Sequence, residues 1–374
     1  MSQQVSYKKQ VIFYIMLILV FFAAVEIIFQ FADFTVTQCR IHFAEDAGLD
    51  KETRDQLCRD RNQVQVDPFT LEITPDQELG TITINNYGFR GDDITKSKPV
   101  DTYRIFMMGG STMEGDLTAD YQTIPAYLEK KFSEKSLAKN VQVINAGCSS
   151  CHSYHETMKI KNKILEFEPD MIVVYDGWND AMREIPNELK GETTDIQSYG
   201  VVPGTDDKIR DFLRMFQDVK TFSAINRIVN YGGDSLRMLD RTIEPYNDAY
   251  LDVKTQEWKE RWEQTCQLGN EKNFDVIVTI QPLLGSSDRE MTLEESLWYK
   301  RYDNKNLNLA LEKYVEKMYE LNSCTKVHDF TNMFDGVEGP LFFDNGHVGP
   351  RGNQHAAEEF FDLVYPIVSS RING

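Results

Sequence analysis

From Tyr103 onward the chain alternates short Val/Ile-rich runs with amphipathic stretches, and this alternation limits the fold more than any other feature. The runs YRIFMMGG, VQVINAG, MIVVYDG and FDVIVTIQPLL are apolar at most positions rather than at every second one. Strands of that kind are buried on both faces, as in a parallel sheet covered by helices. Between the runs the periodicity is helical: Trp258, Trp262, Thr265 and Gly269 fall on one face at 3.6-residue spacing. The alternation predicts an α/β fold, a three-layer α/β/α arrangement around a doubly wound parallel sheet. The stretch at about 185–250 breaks the rhythm; it is polar, interrupted by Gly and Pro, and reads as an insertion or lid.

A different pattern precedes this region. Residues 11–34 form an apolar run, clean as far as Val25 and then broken by Glu26, Gln30 and Asp33. As a helix it spans about 36 Å, enough to cross a bilayer. Phe22-Ala23-Ala24 is a poor cleavage site, so the run reads as an uncleaved signal-anchor rather than a signal peptide. Lys8 and Lys9 precede the run and Arg40 is the nearest basic residue after it. This places residues 1–10 in the cytoplasm and the bulk of the chain outside, on a single-pass membrane protein. Glu26 and Gln30, four apart, share one face of the span and are candidates for contact with a membrane-protein partner, the alternative being that they reach interfacial water. Residues 35–102 form an extracytoplasmic lead-in: Asp50 can cap a short helix running to Arg61, and LEITPDQELGTITINNYGFRG reads as two short strands with turns.

The six cysteines suit an exported chain, in which an even number suggests disulfides. Six cysteines allow 15 pairings, and sequence alone does not choose among them; the local pairs Cys39–Cys58 and Cys148–Cys151, leaving Cys266–Cys324, are the expectation. A net charge of −19, with no Lys/Arg block to offset it, excludes nucleic acid as a partner.

In a doubly wound sheet, chemistry collects in the loops beyond the carboxyl ends of the strands. Here those loops read Gly109-Gly110-Ser111-Thr112-Met113-Glu114-Gly115, Asn145-Ala146-Gly147 and Gly177-Trp178-Asn179-Asp180, with Asp344-Asn345-Gly346-His347 before the last helix. The order and spacing of these four blocks resembles the SGNH/GDSL family of serine esterases and acylhydrolases over roughly residues 103–370. NNYGFRG is similar to the segment that precedes the first block in exported members. The resemblance implies a flavodoxin-like sheet within a domain of residues 103–374. Two departures stand out: Gly110 replaces the Asp that usually precedes the nucleophile, and Ser150 stands where a Gly usually follows Gly147 by three.

The chemistry is legible without the family. Ser111 can attack a carbonyl if a base takes its proton. His347 suits that task near neutral pH, with Asp344 three positions earlier to hold its other ring nitrogen. The N–H groups of Ser111 and Gly147 and the side-chain amide of Asn179 are candidate donors to the oxyanion. His355 reads as a helix residue. Ser111 as a helix cap, Asn179-Asp180 as an Asx turn and the Asp344/His347 pair as a cap are the structural alternatives.

Cys148-Ser149-Ser150-Cys151-His152 also matches a haem-attachment pattern. With His155 it could be read as a zinc site, and by itself as a redox dithiol. A haem would fill the acyl site, and four zinc ligands within eight residues wrap an ion poorly. A disulfide in the loop bordering the oxyanion hole is the preferred reading, with no cofactor or metal expected. The resulting expectation is a membrane-anchored serine esterase acting on O-acyl groups of cell-envelope glycans or lipids. The alternatives are an O-acyltransferase using the same residues and a non-catalytic subunit of a membrane complex.

Overall fold

The computed structural model describes residues 6–35, 49–67, 71–116, 118–182 and 248–373. A helix, Tyr7–Thr35, opens the chain. Its segment Tyr7–Val25 has a mean hydropathy of 1.9 and is long and apolar enough to cross a membrane. Glu26 and Gln30 lie on this helix, but their side chains fall outside the described residues. So do Cys39, and with it the expected Cys39–Cys58 pair, and nearly all of the expected insertion.

The second unit begins with the lead-in. Asp50 caps the helix Lys51–Arg61 by accepting from Thr53 N, the side-chain satisfaction that a helix N-terminus needs. Strands β1 (Gln77–Leu79) and β2 (Ile82–Ile84) then pair antiparallel.

The main sheet holds β3 (Thr102–Gly109), β4 (Asn140–Asn145), β5 (Met171–Asp176), β6 (Asp275–Ile280) and β7 (Lys326–Asp329). All its pairs are parallel, in the order β4-β3-β5-β6-β7. Counted from β3 this is the flavodoxin-like order 2-1-3-4-5, whose reversal point lies between the first and third strands. Alternate residues of each strand face opposite layers, as the two-residue period of a strand requires. Phe106, Met108, Ile172, Val174, Val276 and Val278 pack with Trp258, Trp262, Leu307, Leu311 and Tyr314 in one layer. Ile105, Met107, Met171, Val173 and Ile277 pack with Leu128, Phe132, Phe360 and Val364 in the other. The first layer comprises the helices Ser153–Asn162, Asp248–Lys272 and Asn304–Met318; the second comprises Ile124–Ser133 and Pro350–Asn373. The three-layer α/β/α architecture read from the alternation is the one observed.

Strand β7 was not anticipated. Its sequence, Lys-Val-His-Asp, has no apolar run, because an edge strand is half open and needs none.

Candidate active site

Ser111 follows β3 directly and starts a single turn of helix, Ser111–Glu114, ended by Gly115 in the left-handed conformation. The carboxyl ends of β4 and β5 bring the Gly147 and Asn179 loops to the same edge. Asp344 and His347 arrive on a tight loop closed by the bridge between Phe342 and Val348 and by Phe343 N donating to His347 O at 2.8 Å.

The three candidate residues form one hydrogen-bonded line. His347 Nε2 lies 2.7 Å from Ser111 Oγ, and His347 Nδ1 lies 2.7 Å from Asp344 Oδ2. A carboxylate only accepts, so Nδ1 carries the proton and Nε2 is left to accept from the serine hydroxyl. The other oxygen of Asp344 accepts from the backbone N–H of Gly346 (2.9 Å) and His347 (2.8 Å). Burial pushes the Asp344 carboxyl up, but the His347 charge and these hydrogen bonds outweigh it and hold it below its ordinary value. The Trp178 ring stands edge-on to the imidazole, with centroids 4.8 Å apart, and confines it from one side.

The expected oxyanion donors are placed less uniformly. The Ser111 N–H heads the first helical turn and has no protein acceptor among the described residues. Asn179 Nδ2 donates one of its two protons to Cys151 O at 2.6 Å. The Gly147 N–H, the third expected donor, is held by Asn145 Oδ1 at 3.1 Å. Both sequence departures have structural grounds. A Cβ at position 110 would lie 2.3 Å from Asn179 Nδ2, so the usual Asp would push the Asn179 amide out of its present place. Ser150 adopts φ +64°, a conformation that suits the Gly it replaces. Gly147 itself is required by close approach, since a Cβ there would come within 2.3 Å of Glu114 N.

The CSSCH segment is a disulfide, Cys148–Cys151, and Cys266–Cys324 is a second. The described residues contain no metal-binding cluster of His, Cys, Asp and Glu.

Several supporting residues were not anticipated. Buried Arg90 of the NNYGFRG segment donates to Glu114 O (2.9 Å), Gly115 O (2.6 Å) and Thr118 O (2.5 Å), and pairs with Asp120 (2.8 Å). Arg61 of the lead-in reaches Glu114 (3.2 Å), Asp116 and Ser149 (2.6 Å). Glu295, buried against Arg289, accepts from the N–H groups of Leu341 and Phe342 just before the Asp344 loop. NNYGFRG stands out in the sequence as a motif, but its one arginine carries no signal of which carbonyls it meets.

Beneath the Asn179 loop lies a buried acidic group of Glu156, Asp176 and Asp180. Asp180 is satisfied by Ser153 N (2.8 Å) and Ser153 Oγ (2.6 Å), and Asp176 by the indoles of Trp258 (2.7 Å) and Trp262 (3.1 Å). Glu156 has no hydrogen-bond partner for either carboxyl oxygen among the described residues. Burial, reinforced by the neighbouring carboxylates, pushes Glu156 and Asp176 well above the ordinary range, so both prefer to hold a proton. An acid whose pKa is raised by folding adds stability below its unfolded value, and that stability is lost as pH rises toward the folded value. Glu156→Gln should therefore flatten the loss of stability above about pH 4.3, the unfolded value of Glu, by up to about 1.4 kcal/mol per pH unit. Urea unfolding at pH 5 and pH 8 reads this; an unchanged difference between the two pH values would refute it.

No family model matches the chain, and no curated protein matches it. Among solved structures it is similar to the acetyl xylan esterase AlAXEase, at 12% identity over 70% of this chain and 99% of that one, with a TM-score of 0.40. It is also similar to TesA, at 12% identity over 71% and 99% of the two chains with a TM-score of 0.39. A lipase/acylhydrolase from Enterococcus faecalis matches at 14% identity over 70% and 95%, with a TM-score of 0.40.

Proposed function

We propose that the chain is a serine esterase that forms an acyl-enzyme on Ser111. The observation that carries this is the unbroken line Ser111–His347–Asp344, with both links at 2.7 Å. His347 takes the hydroxyl proton as Ser111 attacks the ester carbonyl, and Asp344 holds the imidazolium that results. The negative charge on the former carbonyl oxygen meets the Ser111 N–H and the second N–H of Asn179. Asn145 Oδ1 competes with the oxyanion for the Gly147 N–H. Return of the proton from His347 releases the alcohol, and water, activated by the same imidazole, releases the acid.

The NNYGFRG segment resembles the one preceding the first block in membrane or exported esterases, and the Tyr7–Thr35 helix is long enough to anchor the protein in a membrane. Together they support O-acyl groups on envelope glycans or lipids as substrates, with the catalytic part outside the cytoplasm and Glu26/Gln30 as the place where a membrane partner would bind. Incubation of the full-length protein with a fluorophosphonate, followed by peptide mapping, should place one adduct on Ser111. A folded protein that takes up no label would sink the reading.

A further inference from the structure

The Cys148–Cys151 disulfide spans only two intervening residues, and its structural role can be separated from loop stiffening in general. Cys148 N donates to Gly109 O at 3.0 Å, which ties the start of the segment to the strand end beside Ser111. Cys151 N donates to Cys148 O at 3.1 Å. The carbonyl of Cys151 then accepts from Asn179 Nδ2 at 2.6 Å, and it lies within 3.4 Å of where a Cβ on Gly110 would stand. Three backbone and side-chain groups, Gly110, Cys151 O and the Asn179 amide, are thus packed against one another next to the nucleophile. Between the two sulfurs Ser150 holds φ +64°, which costs a non-glycine residue about 1–2 kcal/mol and persists only where the surroundings over-determine it. Arg61 on Ser149 and Asp180 on Ser153 secure the flanks but touch neither Cys151 O nor Asn179. The covalent bridge acts directly on the residue presenting that carbonyl, alongside the hydrogen bond from Cys151 N to Cys148 O.

We propose that the Cys148–Cys151 disulfide is a positioning element for turnover: it fixes the Cys151 carbonyl, which clamps one N–H of Asn179 and so aims the other at the oxyanion. The inference rests on the esterase reading and assigns the disulfide a place in it. An oxyanion donor is effective when its direction is set before charge develops, and an amide free to rotate about its last torsion would first have to be reoriented. With one proton held by a carbonyl at 2.6 Å, the plane of the amide is defined. Both cysteines are 2% exposed, so the bridge is sheltered from thiols in solution and acts as a constant brace.

The test is a cycle of Cys148→Ala/Cys151→Ala, Asn179→Ala and the triple variant in the full-length protein, with kcat and KM on p-nitrophenyl acetate. Asn179→Ala should lose about 10²-fold in kcat. The double cysteine variant should lose about 10-fold or more in kcat with KM within twofold, and the triple variant should be no slower than Asn179→Ala. Losses that multiply would overturn the proposal, because the disulfide would then act by a route independent of Asn179. Gly110→Ala guards against a cysteine variant that does not fold. It leaves the disulfide intact and drives a Cβ into Nδ2, so it should show the same kcat-only loss. In the unmodified protein, one of the two Asn179 side-chain protons should be shifted downfield and protected from exchange by NMR. Two protons exchanging equally fast would refute the clamp whatever the kinetics. Absence of label on Ser111, in contrast, would defeat the esterase reading itself and not the clamp.

Discussion

Ser111→Ala and His347→Ala should each lower kcat by about 10⁴-fold or more, and the double variant should be no worse than the poorer single one. The reason is that the two side chains perform one act. The hydroxyl is a weak nucleophile until Nε2, 2.7 Å away, removes its proton, and an imidazole without the serine has nothing to activate. Groups that act as a unit are grossly non-additive for this reason. Asp344→Asn should cost about 10⁴-fold as well, since an amide at Oδ2 would no longer select the tautomer with its proton on Nδ1. What survives should be the contribution of Asn179 and the Ser111 N–H, still well above the rate in water. The measurement is kcat/KM on p-nitrophenyl acetate for the two single variants and the double. A double variant whose loss equals the product of the singles would mean that Ser111 and His347 work in separate steps, and the line of hydrogen bonds would then be structural.

The reach of the sequence can be judged residue by residue. Strands β3 to β6 were visible because a buried parallel strand must be apolar on both faces, and their loops could be named once the strands were placed. The Ser111, Asp344 and His347 blocks stand out for a related reason: the proposed nucleophile and its base need fixed residue types, and three-residue spacing lets Asp344 reach His347 locally. The oxyanion donors were less legible. Nothing in Asn145-Ala146-Gly147 states that the Asn145 side chain turns back onto the Gly147 N–H. Likewise Gly110 looked like a departure from pattern until the Asn179 amide was seen to occupy the space of its missing Cβ. Long-range polar contacts left the weakest trace. Arg90 lies 24–28 residues before the carbonyls it binds, and a single arginine in a turn-rich segment has the composition of an ordinary surface loop.

That arginine carries the largest stability effect expected outside the core: Arg90→Ala should cost about 3 kcal/mol, because three carbonyls lose their buried donor at about 1–3 kcal/mol each before water recovers part of it. The side chain is 2% exposed and closes the turn that follows Ser111. Its guanidinium satisfies the carbonyls of Glu114, Gly115 and Thr118 together with the Asp120 carboxylate. Truncation leaves three carbonyls short of their donor, each a cost of about 1–3 kcal/mol before relaxation or entering water recovers part of it, whereas the Asp120 carboxylate is 28% exposed and keeps the Thr83 N–H. Lysine is no substitute, because a single ammonium cannot present the planar fork that reaches four acceptors at once. The Ser111–Glu114 turn makes two backbone bonds to Gly110 O, from Met113 and Glu114, so loosening its far end should also disorder Ser111. Arg90→Ala and Arg90→Lys should therefore lower the urea midpoint at constant slope and lower kcat together, while leaving the chemistry of Ser111 toward a fluorophosphonate slow but detectable. A midpoint shift worth less than about 1 kcal/mol, the size of an ordinary surface change, would show that the turn stands without its arginine. The lead-in would then be a neighbour of the catalytic fold and not one of its supports.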